Sequence, residues 1–182
     1  MKIISVFGAS NSGKGTVATM LCMLDDRLHH SKFARPMKRQ LEDEYCLSEG
    51  LLEHRLMKAQ PSGYKQQSYL DIMVSLYHER QHLTELPKST ITLLSQCHQY
   101  GLTPVFDDCR NDREAALLAQ HDVYGLWVES SRGQMLSSDA HQWGIYENLS
   151  TRNWVTNAGT LANLMEQVET LYHRSIKRWL DS

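Results

Sequence analysis

Apolar positions along this chain follow two rhythms, and their alternation sets the expected fold. Near-continuous apolar runs, the mark of strands buried on both faces, occupy residues 2–7, 102–107 and 122–129. Shorter strands are expected near 30–34 and at 154–157. Between the runs, apolar residues recur every three or four positions, the period of a helix with one buried face. Val17, Met20, Leu21 and Leu24 mark such a face within 14–24. Leu161, Leu164, Met165, Val168, Leu171 and Tyr172 mark a longer one within 160–180. Further helices are predicted from Pro36 to about 46, and over 65–83, 89–100 and 111–120. Pro36 suits a first helical turn, where its missing N–H costs nothing. Pro61-Ser62-Gly63 reads as a break, Gly101 as a helix stop, and 130–150 as a polar, irregular loop. Strands alternating with helices predict the α/β class: a parallel five-stranded sheet flanked by helices. Ligands of such sheets sit beyond the carboxyl ends of the strands.

Composition narrows this picture little. A chain of 182 residues can bury a real core as one domain. Its 41% apolar and 22% charged content is that of an ordinary soluble protein. A net charge of -2 gives no reason to expect a nucleic-acid or membrane partner. The first residues enter a strand pattern directly, without the apolar region of a secretion signal, so a cytoplasmic location is expected. Cys22, Cys46, Cys97 and Cys109 are widely scattered and form no C-x-x-C pair, which predicts reduced thiols.

The chemistry starts in "VFGASNSGKGT", residues 6–16. Gly8 and Gly13 let the chain reverse with backbone N–H groups turned inward, and Ser12 lies between them. The helix that follows adds its positive end, which favours a polyphosphate. Lys14 supplies a point charge for the outer phosphates. Gly15 replaces the hydroxyl residue that normally ligates magnesium, and Thr16 offers an amide and a hydroxyl one position on. Magnesium would then be held largely through water, by Thr16 and a distant carboxylate. The expected ligands are therefore ATP and Mg2+.

A second constellation closes the strand at 102–107, in "VFDDCRNDREAA". Asp107 and Asp108 sit where a carboxylate can orient water around magnesium or accept a proton. Arg110 can neutralise charge on a transferred phosphoryl group. Asn111-x-x-Glu114 has the form of a capping box, which gives Glu114 a structural reading. Lys14, Asp108 and Arg110 are the expected catalytic residues.

The G-x-x-x-x-G-K-G-T form resembles nucleoside monophosphate kinases. Residues 108–114 resemble the D-x-R-x-x-x-E signature of phage-type deoxynucleoside monophosphate kinases. "FARPMK" (33–38), "SSDAH" (137–141) and "WVTNAGTLANLMEQVETL" (154–171) are similar to further blocks of that family, in the same order. The matched blocks leave out residues 48–100. The resemblance implies a single kinase domain over 1–182, with a core of about 1–47 and 88–182. It further implies a helical acceptor-binding insertion at about 48–87 and a short lid at about 130–150. It implies that Arg35 and Lys38 hold the acceptor phosphate; Lys65 and Arg80, in the unmatched middle, are further acceptor candidates beside a reading as solvated surface. Asn157 and Gly159 would meet the adenine of ATP, with Gly159 and Thr160 also serving as turn and cap for the last helix. Arg132 and Arg152 flank the lid and can close over the triphosphate, and His141 is either a lid residue or a solvated loop histidine. Small-molecule substrates and a homodimer also follow from the resemblance, as does a host-cell cytoplasm for a phage-encoded protein.

Two alternatives stand beside phosphoryl transfer to a (deoxy)nucleoside monophosphate. One is a protein that holds a nucleotide without transferring phosphate. The other rests on "HERQH", residues 78–82, which satisfies the H-E-x-x-H pattern of zinc peptidases with His78, Glu79 and His82.

Overall fold

Strands and helices alternate from one end of the chain to the other in the computed structural model, which describes residues 1–48, 50–54, 57, 59–63, 67–81, 88–130 and 137–182. The order is β1 (Lys2–Gly8), α1 (Lys14–Leu24), β2 (Leu28–Ser31), α2 (Arg35–Glu44), a short turn of 3-10 helix (Leu51–Glu53), α3 (Tyr69–Gln81) and α4 (Lys88–Gln99). It continues with β3 (Thr103–Phe106), α5 (Asp112–Leu118), β4 (Asp122–Glu129), α6 (Ser137–Glu147), β5 (Thr151–Thr156), α7 (Leu161–Leu171), a π-helical turn (Tyr172–Ile176) and α8 (Lys177–Asp181). The strands form one five-stranded sheet in the order β2-β3-β1-β4-β5. Every pairing in it is parallel. The α/β class expected from the sequence is the class observed.

Two compact units make up the chain. The first comprises Met1–Phe33 with Leu93–Ser182, and the second comprises Ala34–Thr92. Thus α2, which the sequence reading grouped with the core, belongs to the second unit.

In the first unit, β1 is central and carries apolar side chains to both faces. Ile4 and Val6 meet Val17, Ala18 and Leu21 of α1 and Leu164 and Val168 of α7 in one cluster. Each such side chain contributes about 1.5–3 kcal/mol by leaving water. On the opposite face Phe7 lies against Tyr146 (centroids 5.9 Å apart), and Trp127 of β4 meets Tyr146 and Trp143.

Tyr146 and Trp143 belong to α6, and here the sequence reading needs correction. Residues 130–150 were expected to be irregular, yet Ser137–Glu147 is helical. Its apolar face amounts to a few residues in a polar segment, so no strong period is visible. The helix is held instead by tertiary packing of its aromatic residues on the sheet, which overrides weak local preference. The Tyr146 hydroxyl also donates to the Asn153 carbonyl of β5 at 2.9 Å. Two strands are displaced as well: β2 ends before residue 32, and β5 starts three residues earlier than expected. Both are edge strands, where half-exposed residues blur the apolar run.

The second unit has its own small core. Met37 and Leu41 of α2 pack with Leu52, Ile72 and Met73. The Glu42 carboxylate is buried and accepts N–H bonds from Gly50 (3.0 Å) and Leu52 (2.8 Å), which fixes the turn between α2 and α3. Among the described residues no helix is long and apolar enough to cross a membrane.

A polar clasp ties the two ends of the first unit together. The Tyr172 hydroxyl donates to Asp25 Oδ2 at 2.6 Å. Arg27 donates to the same carboxylate (2.7 Å) and, through its other nitrogen, to Asp181 (2.8 Å). Hydrogen bonds from Arg27 and Tyr172 hold the Asp25 carboxyl well below the usual carboxylate range. A lowered value means that the clasp stabilises the fold above the ordinary carboxylate pKa and is lost as pH falls through the folded-state value. Tyr172→Phe should therefore cost about 1–2 kcal/mol in urea unfolding at pH 7. Unchanged stability there would show that the clasp is a surface ornament.

Candidate phosphate-binding site

The turn from β1 to α1 runs through space that only glycine fits. Gly8 has φ +145°, and a Cβ there would lie 2.5 Å from the Val128 carbonyl oxygen and 2.7 Å from Ser12 Oγ. Gly13 has φ +102°, and its Cβ would meet Asn157 Nδ2 at 2.6 Å. Asn11 also sits at positive φ, +63°, a conformation that asparagine tolerates better than most residues. The Ser12 N–H donates to the Ala9 carbonyl at 3.1 Å, and the Val17 N–H to the Gly13 carbonyl at 3.0 Å, where α1 begins. No side chain caps that helix start. A helix end of this kind presents backbone N–H groups and a positive dipole to an anion.

Lys14 arches back over the loop. Its ammonium donates to the carbonyls of Gly8 (2.7 Å) and Ala9 (2.8 Å). Ser12 Oγ is fully buried and has no hydrogen-bond partner among the described residues. Asn157 braces the loop from the far side, with its amide donating to the Ser12 carbonyl at 2.9 Å. Its own N–H is held by the Glu129 carbonyl at 2.7 Å, so the ends of β4 and β5 support the same turn.

The two aspartates after β3 face different surroundings. Asp108 Oδ1 accepts the Phe33 N–H at 2.8 Å, and the Phe33 ring stacks on Phe106 at 4.2 Å. Asp107 is 8% exposed. Its Oδ2 lies 3.2 Å from His30 Nε2 and 3.0 Å from where a Cβ on Gly15 would stand. Its Oδ1 is buried without a hydrogen-bond partner among the described residues.

The predicted capping box is present. Asn111 Oδ1 accepts from Arg113 N and Glu114 N, and Glu114 Oε2 accepts from Arg110 N (2.6 Å) and Asn111 N (3.3 Å). Burial pushes the Glu114 carboxyl up to about 7, helped by the charge of Asp108 and opposed by the Arg110 and Asn111 N–H groups and the Arg110 charge. The adjacent Cys109 thiol is driven up by burial and by the Glu114 and Asp108 charges, so it is an inert filler.

Of the residues singled out from the sequence, Gly8, Ser12, Gly13, Lys14, Gly15 and Thr16 share this turn, with Asn157 against it and the aspartates on the neighbouring strand. Arg110 is exposed next to them in sequence. Gly159 stands at the start of α7, where Thr160 and Asn163 form a second capping box. Arg152 is on β5, its guanidinium donating to the Glu147 carbonyl at 3.0 Å. Arg35 and Lys38 lie on α2 of the second unit, the former exposed and the latter buried. Lys65 and Arg132 fall outside the described residues, as do the side chains of Arg80, His141 and the H-E-x-x-H group. Among the described residues no three His, Cys, Asp or Glu side chains cluster as a metal site. His30 went unnoticed in the sequence, because a histidine in a short edge strand carries no periodic signal.

No protein-family model matches the chain, and no curated protein matches it in sequence. Among solved structures, a gluconokinase from Sinorhizobium meliloti 1021 aligns over 96% of this chain and 97% of its own, at 12% identity and a TM-score of 0.39. A sugar kinase from Janibacter sp. HTCC2649, solved without ligand, aligns over 96% of both chains at 14% identity and a TM-score of 0.43.

Two expectations follow from the geometry. Gly8→Ala should destabilise the first unit by about 2–4 kcal/mol in urea unfolding, since the clash is with backbone and φ is positive. Glu114 has a folded-state pKa above its ordinary value. The stability it contributes is fully present below about pH 4.5 and is lost as pH rises through about 7. Glu114→Gln should flatten the pH dependence of the melting temperature across that window, with Asp108 and Arg110 still in place. A wild-type slope in the variant would refute the assignment.

Proposed function

We propose that the chain is a phosphotransferase that moves the γ-phosphoryl group of ATP to a nucleoside monophosphate, giving two diphosphates. The observation that carries this reading is the glycine turn itself: an uncapped helix start, with a lysine ammonium bent over it and a buried carboxylate 3.0 Å from the Cβ position of Gly15. A loop of this shape suits the paired phosphates of a nucleoside triphosphate better than a lone carboxylate ligand. The acceptor class comes from the family resemblance of residues 33–38, 108–114 and 154–171.

The chain's residues divide the work as follows. Loop amides from Gly13 to Thr16 and the Lys14 ammonium bind and orient the β- and γ-phosphates. Asn157 keeps that turn in register and, with Gly159, borders the nucleoside. The donor set fits magnesium: Asp107 keeps a buried oxygen unpartnered, and Thr16 and Asp108 stand in sequence positions to hold its water shell. When bound, the ion neutralises the outer phosphate oxygens and aligns them for in-line transfer. An oxygen of the acceptor phosphate forms the new bond to Pγ. The bond from Pγ to the β–γ bridging oxygen breaks, and its electrons leave with ADP. Arg110, with Arg132 from the 130–150 segment, stabilises charge on the equatorial oxygens, while Arg35 and Lys38 hold the acceptor phosphate, with Lys65 and Arg80 as further candidates.

A coupled assay with ATP·Mg and each ribo- and deoxyribonucleoside monophosphate in turn should give turnover with a subset of acceptors. Lys14→Ala should lower kcat/KM by about 10³-fold, the scale of one preorganised electrostatic contact, with the melting temperature nearly unchanged. Nucleotide binding with no acceptor-dependent turnover would replace the kinase reading with that of a nucleotide-binding protein. Stoichiometric zinc lost on His78→Ala would replace it with a peptidase.

A further inference from the structure

We propose that His30 is a positioning residue of the phosphoryl-transfer site: from the end of β2 it stands against Asp107 Oδ2, the oxygen that faces Gly15, and so holds in place a carboxylate that would serve the phosphate-bound magnesium. The inference rests on the phosphotransfer reading, and goes beyond it by giving His30, which touches neither nucleotide nor metal, a part in that site.

Strand register brings the pair together. His30 is paired with Val105 across the parallel β2–β3 ladder. Side chains alternate along a strand, so Val105 and Asp107 share a face with His30. Val105 packs with Val17, Leu21 and the rest of the α1 cluster, so this is the face that α1 covers. The Cys22 thiol of α1 makes a backbone hydrogen bond with His30, which fixes the strand end under the helix.

The two oxygens of Asp107 are thereby distinguished. Oδ2 lies 3.2 Å from His30 Nε2, a contact that does not complete an aligned hydrogen bond. Oδ1 has no partner among the described residues although Asp107 is more than nine-tenths buried. A buried carboxylate oxygen without a donor is expensive unless a cation or its water satisfies it. Asp108 has no such need, since its Oδ1 is committed to the Phe33 N–H at 2.8 Å. The neighbouring surface is also prepared: Gly15 has no side chain where a Cβ would press within 3.0 Å of Asp107, and Ser12 Oγ is buried and unpartnered in the same loop.

Two readouts test the assignment in the full chain. The first is equilibrium affinity for a non-hydrolysable ATP analogue, with magnesium and with EDTA. The second is kcat and the KM for acceptor. His30→Ala should weaken magnesium-dependent binding about tenfold and leave binding in EDTA within about twofold. It should lower kcat with little change in acceptor KM. His30→Gln, which keeps an N–H donor, should recover most of both. In an Asp107→Asn background His30→Ala should add nothing, because its effect travels through that carboxylate. Equal magnesium-dependent affinity and kcat in His30→Ala and the parent would overturn the role of His30 while the kinase reading stands. Additive losses in the double variant would do the same. A parent chain that binds no ATP analogue under either condition overturns both.

Discussion

The structure turns on a steric constraint at the end of β1. The chain must leave the sheet beside the Val128 carbonyl and reverse within five residues, in space that holds no Cβ at Gly8 or Gly13. Positive φ at Gly8, Asn11 and Gly13 follows from that path, and so does an α1 start that no side chain caps. The turn is supported on every side by elements of the same unit: Val128 of β4, Asn157 after β5, and the Lys14 ammonium across its mouth. A loop held this way has little freedom to collapse, so its N–H groups keep fixed directions.

The same economy shows in the acidic strand end. Consecutive residues leaving a strand point to opposite sides, and Asp107 and Asp108 divide accordingly. Asp108 turns to the Phe33 backbone and fastens the end of β2 to the end of β3. Asp107 turns to the α1 face and meets His30. Glu114 takes up two N–H groups at the start of α5, and its pKa is raised by burial, helped by the charge of Asp108. Two of these acids thus have structural tasks visible in their hydrogen bonds, and the third keeps an oxygen unclaimed.

What the sequence discloses depends on whether the information is local. β1 and β4 are central and buried on both faces, so their apolar runs read directly, and β4 was placed to the residue. Pro36 in the first turn of α2 and the Asn111–Glu114 box of α5 are short-range chemistry and were equally legible. The edge strands β2 and β5 shifted, because half-exposed positions such as His29 and Trp154 interrupt the pattern. α6 was missed because Trp143 and Tyr146 create its stability only against Phe7 and Trp127, which are distant in sequence. The site divides in the same way. The glycines and Lys14 are contiguous and therefore visible, whereas the proximity of His30 to Asp107 exists only through the β2–β3 register. Lys38, read from the sequence as an acceptor-phosphate ligand on the first turn of a helix, is buried on α2, as is Glu42 one turn later.

Gly15 connects these strands of reasoning. Its place directly after the lysine looks, in sequence, like the loss of a metal-binding hydroxyl. In three dimensions it is the position where α1 passes nearest to Asp107, and a Cβ there would press on the carboxylate at 3.0 Å. A hydroxyl-bearing residue and a buried aspartate would compete for one small volume. With glycine the volume goes to the carboxylate, whose Oδ2 also lies 3.2 Å from His30 Nε2. The departure from the strict loop pattern and the acidic end of β3 are therefore one feature. A substitution at either must be read against the other, since the room for one side chain is set by the absence of the second.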